Sequence, residues 1–130
     1  MSVAADLGAT ITALRPFVPC DDFELCQRFY ADLGFTPGHA DAGIAIFSCG
    51  AYSFVLQNYR WEGAGQNYVV QLLVDDVDAW RDRIEEAGLA AKYAVKIIGP
   101  KDEPWGAKGA RVIHLLDPTG ILWHITQFAR

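Results

Sequence analysis

The feature that most constrains this chain is an internal repeat. Asp22 and Asp76 each open a helix-like stripe, Gly34 and Gly88 each close one, and both pairs lie 54 positions apart. In the first copy Phe23, Cys26, Phe29, Tyr30 and Leu33 recur at helical spacing, and in the second Val77, Trp80, Ile84 and Ala87 do so. An aspartate ahead of such a stripe accepts from the otherwise unpaired first N–H groups, and Asp21 with Glu24, like Asp75 with Asp78, has the spacing of a capping box. Glycine after the stripe takes the backbone turn that ends a helix. A β-rich run precedes each stripe, Ile11 to Pro19 and Tyr68 to Val74. Phe35 to Asp41, Gly43 to Cys49 and Ala51 to Asn58 read as strands after the first helix. After the second come Ala91 to Ile98, a turn-rich loop from Gly99 to Gly109, and a hairpin from Arg111 to Gln127 turning at Asp117-Pro118-Thr119-Gly120.

The expected fold is therefore α+β: two βαβββ modules, about residues 11–59 and 68–127, within one domain. A helix covers only one face of a sheet, so the second face of each curled, mixed sheet must meet a ligand, the other sheet or another subunit, which makes a cleft. At 130 residues there is no room for a separate catalytic domain. Residues 1 to 9 are small and polar and are expected to fray.

Charge and composition exclude several classes. A net charge of −5 without a Lys/Arg cluster argues against nucleic acid and suits a cationic ligand. No apolar run reaches membrane-spanning length, and the first residues lack the basic and apolar segments of a signal peptide, so a soluble cytoplasmic protein is expected. Cys20, Cys26 and Cys49 are odd in number with no C-x-x-C pair, as suits free thiols in a reducing compartment.

The stretches FVPCDDFELCQRFYADLGF, VDDVDAWRDRIEEAG, PWG and DPTGILWHITQ together resemble the vicinal-oxygen-chelate superfamily, which includes glyoxalase I, bleomycin-resistance proteins, fosfomycin-resistance enzymes and extradiol dioxygenases; the similarity runs from about residue 11 to 128. The resemblance implies paired βαβββ modules, usually within a homodimer. In its enzymes it also implies a divalent metal held by one residue on the first strand and one on the last strand of each module. Counted from Asp22 and Asp76, the first-strand positions fall on Arg15 and Val69, with Gln71 next in phase. Counted from Gly50 and Gly120, which are 70 apart, the last-strand positions fall on Phe54 and His124. Only His124 among these four is a competent ligand. The resemblance then implies the bleomycin-resistance type, a small-molecule-binding protein with no metal and no cofactor, or an unassigned relative of it. The alternative is a metal-dependent lyase or isomerase of the glyoxalase type, with His124 joined by off-pattern donors such as Glu62 or Gln71.

The candidate ligand-binding residues are Arg15, Phe54, Val69, Gln71, Trp105, Arg111 and His124. Half-buried on a strand, His124 fits a hydrogen-bonded structural role as well as a polar anchor or proton acceptor. Arg15 on an enclosed face needs an anion or a paired acid, and Arg111 shares its face if the strand phases hold. Tyr52, Phe54 and Leu56 alternate as an apolar wall or as core. Trp61 and Trp105, in turn-rich segments, read as cleft rim or dimer contact, and Trp80 as core. His114 fits a cleft, core or exposed position equally, and His39 sits in no motif.

Overall fold

The computed structural model describes residues 6–60, 62–63 and 67–130. Strand β1 (Phe17–Pro19) leads into helix α1 (Phe23–Leu33), then β2 (Thr36–Ala40), β3 (Ile44–Cys49) and β4 (Tyr52–Gln57). The order returns as β5 (Val69–Leu73), α2 (Val77–Glu86), the short helix α3 (Leu89–Tyr93), β6 (Ile97–Glu103), β7 (Ala110–Leu116) and β8 (Leu122–Phe128). Two four-stranded mixed sheets result, with strand orders β1-β4-β3-β2 and β5-β8-β7-β6. In each, the first strand pairs parallel to the last and the other pairings are antiparallel. This is the expected α+β class, and neither sheet closes on itself.

The helix starts follow from their caps. Asp22 accepts from the Leu25 N–H and Asp76 from the Ala79 N–H, each at 3.1 Å. Asp76 rather than Asp75 is the second cap, which keeps the two helices in step. Above the sheets, Phe29, Tyr30 and Leu33 from α1 and Val77 and Ile84 from α2 share one buried core with Phe47, Phe54, Ile113, Trp123 and Ile125 from the strands. The Tyr68 hydroxyl donates to the Phe17 carbonyl at 2.5 Å, which ties edge strand β1 to the start of β5.

Three expectations are corrected. The run read as one strand from Ala91 begins as α3, because Leu89 and Tyr93, four residues apart, both bury into the core and Tyr93 reaches Asp32 with its hydroxyl. The segment read as a loop from Gly99 is strand through Glu103. Its Pro100 is tolerated because β6 is an edge, and the register shifts between Ile98 and Lys101 as a bulge. Only Phe17–Pro19 of the first run is strand, while Leu7–Thr10, within and beside the segment expected to fray, forms a 3-10 turn. No helix among the described residues is long and apolar enough to cross a membrane.

Candidate functional site

Strand alternation divides every sheet residue between a face under the helices and an open face. In the second sheet the core takes Val70 and Leu72 of β5, Trp123 and Ile125 of β8, and Ile113 and Leu115 of β7. Gln71, His124 and His114 therefore point to the open face, and the register places them side by side in one row across β5, β8 and β7. The bulge in β6 adds one residue, which turns Lys101 and Glu103 onto that same face opposite Val112 and Ala110.

Around this row the side chains converge. His114 and His124 rings pack edge to face with centroids 4.7 Å apart, and the Trp105 ring lies 5.0 Å from His124 and 5.9 Å from His114. Glu103 Oε1 lies 3.2 Å from His114 Nε2 and 3.2 Å from Lys101 Nζ. The Lys101 ammonium, then His114, hold the Glu103 carboxyl below its ordinary range. As an ionised carboxylate only accepts, His114 Nε2 must carry the proton in this bond, leaving Nδ1 as the bare nitrogen of the neutral ring. Among the described residues neither ring nitrogen of the half-buried His124 meets a hydrogen-bond partner.

Burial lowers the pKa of His124, repulsion whenever a second proton sits on the neighbouring His114 ring adds to this, and Glu103 opposes it. The sign follows from linkage. The neutral ring is favoured in the folded state, so its contribution is intact above the ordinary imidazole value and is lost as pH falls through that value towards the folded one. We expect the denaturant midpoint of the wild-type protein to be lower at about pH 5.5 than at about pH 7.5, and this difference to shrink in His124→Gln. An equal difference in both proteins would contradict the assignment.

The equivalent row of the first sheet is Phe17, Val55 and Ile46, in register across β1, β4 and β3. It is wholly apolar. Here the count from the hairpin glycines fails by one: Val55 occupies the place in its sheet that His124 occupies in the other, because Phe17 pairs Val55 as Gln71 pairs His124. Phe54 instead faces α1, 3% exposed, with its ring 4.8 Å from that of Tyr30 and 5.3 Å from that of Trp123. It is core, as Leu56 is, and not cleft wall.

Of the other expected site residues, Val69 lies exposed on the same face as Gln71. Arg111 is on the helix side, where Nη1 donates to Asp78 Oδ2 at 2.8 Å, so it does not share the face of His124. Arg15 precedes β1, is exposed, and donates from Nε to Ser53 Oγ at 3.0 Å, with no carboxylate in that bond. The structure thus brings together Gln71, Trp105 and His124, adds His114 and Glu103, and leaves Arg15, Phe54 and Arg111 apart. Trp61 lies outside the described residues.

The donors do not fit a four-ligand metal centre. The paired positions Phe17, Val55, Gln71 and His124 offer one imidazole, one amide and two hydrocarbons, and among the described residues no three His, Cys, Asp or Glu side chains are grouped to hold an ion. Glu62, the off-pattern donor considered above, is exposed in a turn.

Comparison with known proteins finds the Glyoxalase/Bleomycin resistance protein/Dioxygenase superfamily model matching residues 12–125. Among solved structures, a bleomycin-binding protein complexed with bleomycin superposes with a TM-score of 0.75 at 24% identity, covering 89% of this chain and 98% of that one. The antibiotic-binding protein TnmS3 from Streptomyces sp. CB03234 gives 0.69 at 26% identity, covering 92% and 98%. Lactoylglutathione lyase from Agrobacterium tumefaciens gives 0.64 at 19%, covering 90% and 94%. No curated protein matches in sequence.

Proposed function

Because the chain belongs to the Glyoxalase/Bleomycin resistance protein/Dioxygenase superfamily, we propose that it binds a small molecule without a metal, on the open face of its second sheet and inside a cleft closed by a second copy of itself. The observation that carries this reading is the half-buried His124 ring, without a hydrogen-bond partner among the described residues and flanked by Trp105, His114 and Gln71. A neutral imidazole, an amide and an indole edge within one row orient a ligand through a few polar contacts against apolar surroundings. The bleomycin bound by one structural relative and the antibiotic bound by another support a partly aromatic or cationic ligand, as does the net charge of −5.

The second copy is argued from the open faces. Phe17, Val69, Leu73, Ile98 and Phe128 are all exposed, and Leu7, Ile11 and Leu14 add three more large apolar side chains ahead of β1. So much uncovered hydrocarbon on one small chain marks an association surface. An isologous pairing sets the apolar row of one protomer's first sheet against the polar row of the other's second sheet, which gives each cleft one wall of each kind. Sedimentation at micromolar concentration is expected to give twice 14.3 kDa. A clean monomer would remove the shared cleft.

A further inference from the structure

Gln71, His124, His114 and Glu103 are ordered along their sheet in a way that binding alone does not require. A carboxylate fixes the tautomer of one imidazole, and a second imidazole lies in ring contact with it and has neither nitrogen hydrogen-bonded among the described residues. An amide able to donate to a carbonyl oxygen sits one strand further on. These are the parts of nucleophilic acyl chemistry: a nucleophile, a base held by a third group, and an oxyanion donor. We propose that His124 and His114 form a metal-free nucleophile and base pair that cleaves small, neutral acyl esters on this face, a proposal that rests on the reading of the face as the ligand site.

The chemistry balances without a further reagent. A ring nitrogen of His124 attacks the ester carbonyl, the new C–N bond forms as the C–O bond to the leaving group breaks, and the leaving group departs with the electron pair. The proton on the other ring nitrogen passes to solvent. Water then attacks the acyl-imidazole, giving its proton to His114 Nδ1 while the C–N bond breaks, and the His124 ring keeps the electron pair and takes a proton back from solvent to return to its neutral form. Glu103 stabilises the imidazolium formed on His114, and that proton leaves to solvent. Neutral His124 is the reactive form, which its partly buried setting favours at pH 7. Among the described residues the charged groups facing the pair are Glu103 and Lys101, both on β6. The neighbours Gln71 on β5 and Trp105 on the loop after β6 are uncharged.

The test is multiple-turnover hydrolysis of p-nitrophenyl acetate by the full chain, beside His124→Gln, His114→Gln, Glu103→Gln and two controls. The controls are His39→Gln, an exposed ring bonded to Asp41, and Cys49→Ser, a half-buried thiol. His124→Gln and His114→Gln are expected to lose at least about tenfold in turnover and the controls nothing. Glu103→Gln is expected to shift the pH–rate profile, which a purely structural role would leave in place. Each variant's thermal midpoint is read alongside to confirm folding. Equal turnover by wild type and both histidine variants overturns the proposal. p-Nitroacetophenone, which resembles the ester but has no leaving group, separates the two levels by its effect on the Trp105 indole N–H resonance. If it perturbs that resonance while hydrolysis does not depend on His124, only the catalytic proposal falls; if it perturbs nothing on this face and hydrolysis is absent, the ligand-site reading falls with it.

Discussion

Replacing Asp117 by Ala is expected to destabilise the protein by about 3–5 kcal/mol and to lower its thermal midpoint by roughly 10–20 °C. Asp117 is buried at the turn between β7 and β8, and its Oδ1 accepts from the N–H groups of Thr119, Gly120 and Ile121, each at 2.9 Å. Its Oδ2 accepts from the hydroxyl of Tyr30 on α1, which in turn accepts from Trp123 Nε1 at 3.0 Å. Removing the carboxylate strands the Thr119 and Ile121 N–H groups and takes the acceptor from the buried Tyr30 hydroxyl, while the Gly120 N–H keeps its bond to the Asp117 carbonyl; each unsatisfied group costs about 1–3 kcal/mol before relaxation. Burial pushes the Asp117 carboxyl above its ordinary range, and the bonds from the Tyr30 hydroxyl and the three N–H groups pull against it without cancelling it. The same turn meets α1 again, since Thr119 Oγ1 accepts from the Asp21 N–H at 3.1 Å. The hairpin that carries His114 and His124 is thereby pinned to the first helix. Urea denaturation of Asp117→Ala gives the value directly, and a loss under about 1 kcal/mol would mean the network is not a keystone of the fold.

Gly99→Ala is expected to cost on the order of 3 kcal/mol or more and to disturb the site as well. Gly99 holds φ +104, and a Cβ there would lie 2.5 Å from the Val112 carbonyl oxygen and 2.9 Å from the Lys101 nitrogen. Both are backbone atoms of the bulged β6–β7 ladder, so neither yields as a side-chain tip would. The bulge does more than bend an edge. Without its extra residue the phase of β6 reverses, and Glu103 turns away from His114 to the other face. The measurement is the thermal midpoint together with the His114 ring resonances across a pH titration. Wild-type stability with an unmoved His114 would show that the bulge accommodates a methyl group and that Glu103 does not depend on it.

The helices and the class of the fold were legible because each rests on local chemistry that repeats. Asp22 and Asp76 cap through the N–H three residues on, and Gly34 and Gly88 both take positive φ, so an offset of 54 aligns two real helices. The offset taken from Gly50 and Gly120 misled because the two glycines sit in turns of different length. Cys49 pairs Tyr52 across two residues, whereas Leu116 pairs Leu122 across five, and a shift of one residue exchanges the faces of a strand. That is why a count from the glycines lands on Phe54 and not on Val55. Arg111 depended on the strand phase and fell on the helix side, beside Asp78. Glu103 carries no strand signal because Gly99 and Pro100 disguise a bulged edge strand as a loop. His114 carried one usable signal, the even spacing from Val112 and Leu116 within β7, but which set faced the helices is a tertiary fact.

Whether a ligand sits on the row of Gln71, His124 and His114 beneath Trp105 is read from NMR. The spectrum of the isotopically labelled protein is followed while a library of small aromatic and cationic fragments is titrated in. The fragments which bind are expected to shift the imidazole resonances of His114 and His124, the Trp105 indole N–H and the Gln71 side-chain amide together. This placement of the ligand would be contradicted if no fragment shifted that set, or if the binders gathered elsewhere, for instance at the acidic groove lined by Asp21, Asp22, Glu24 and Asp41.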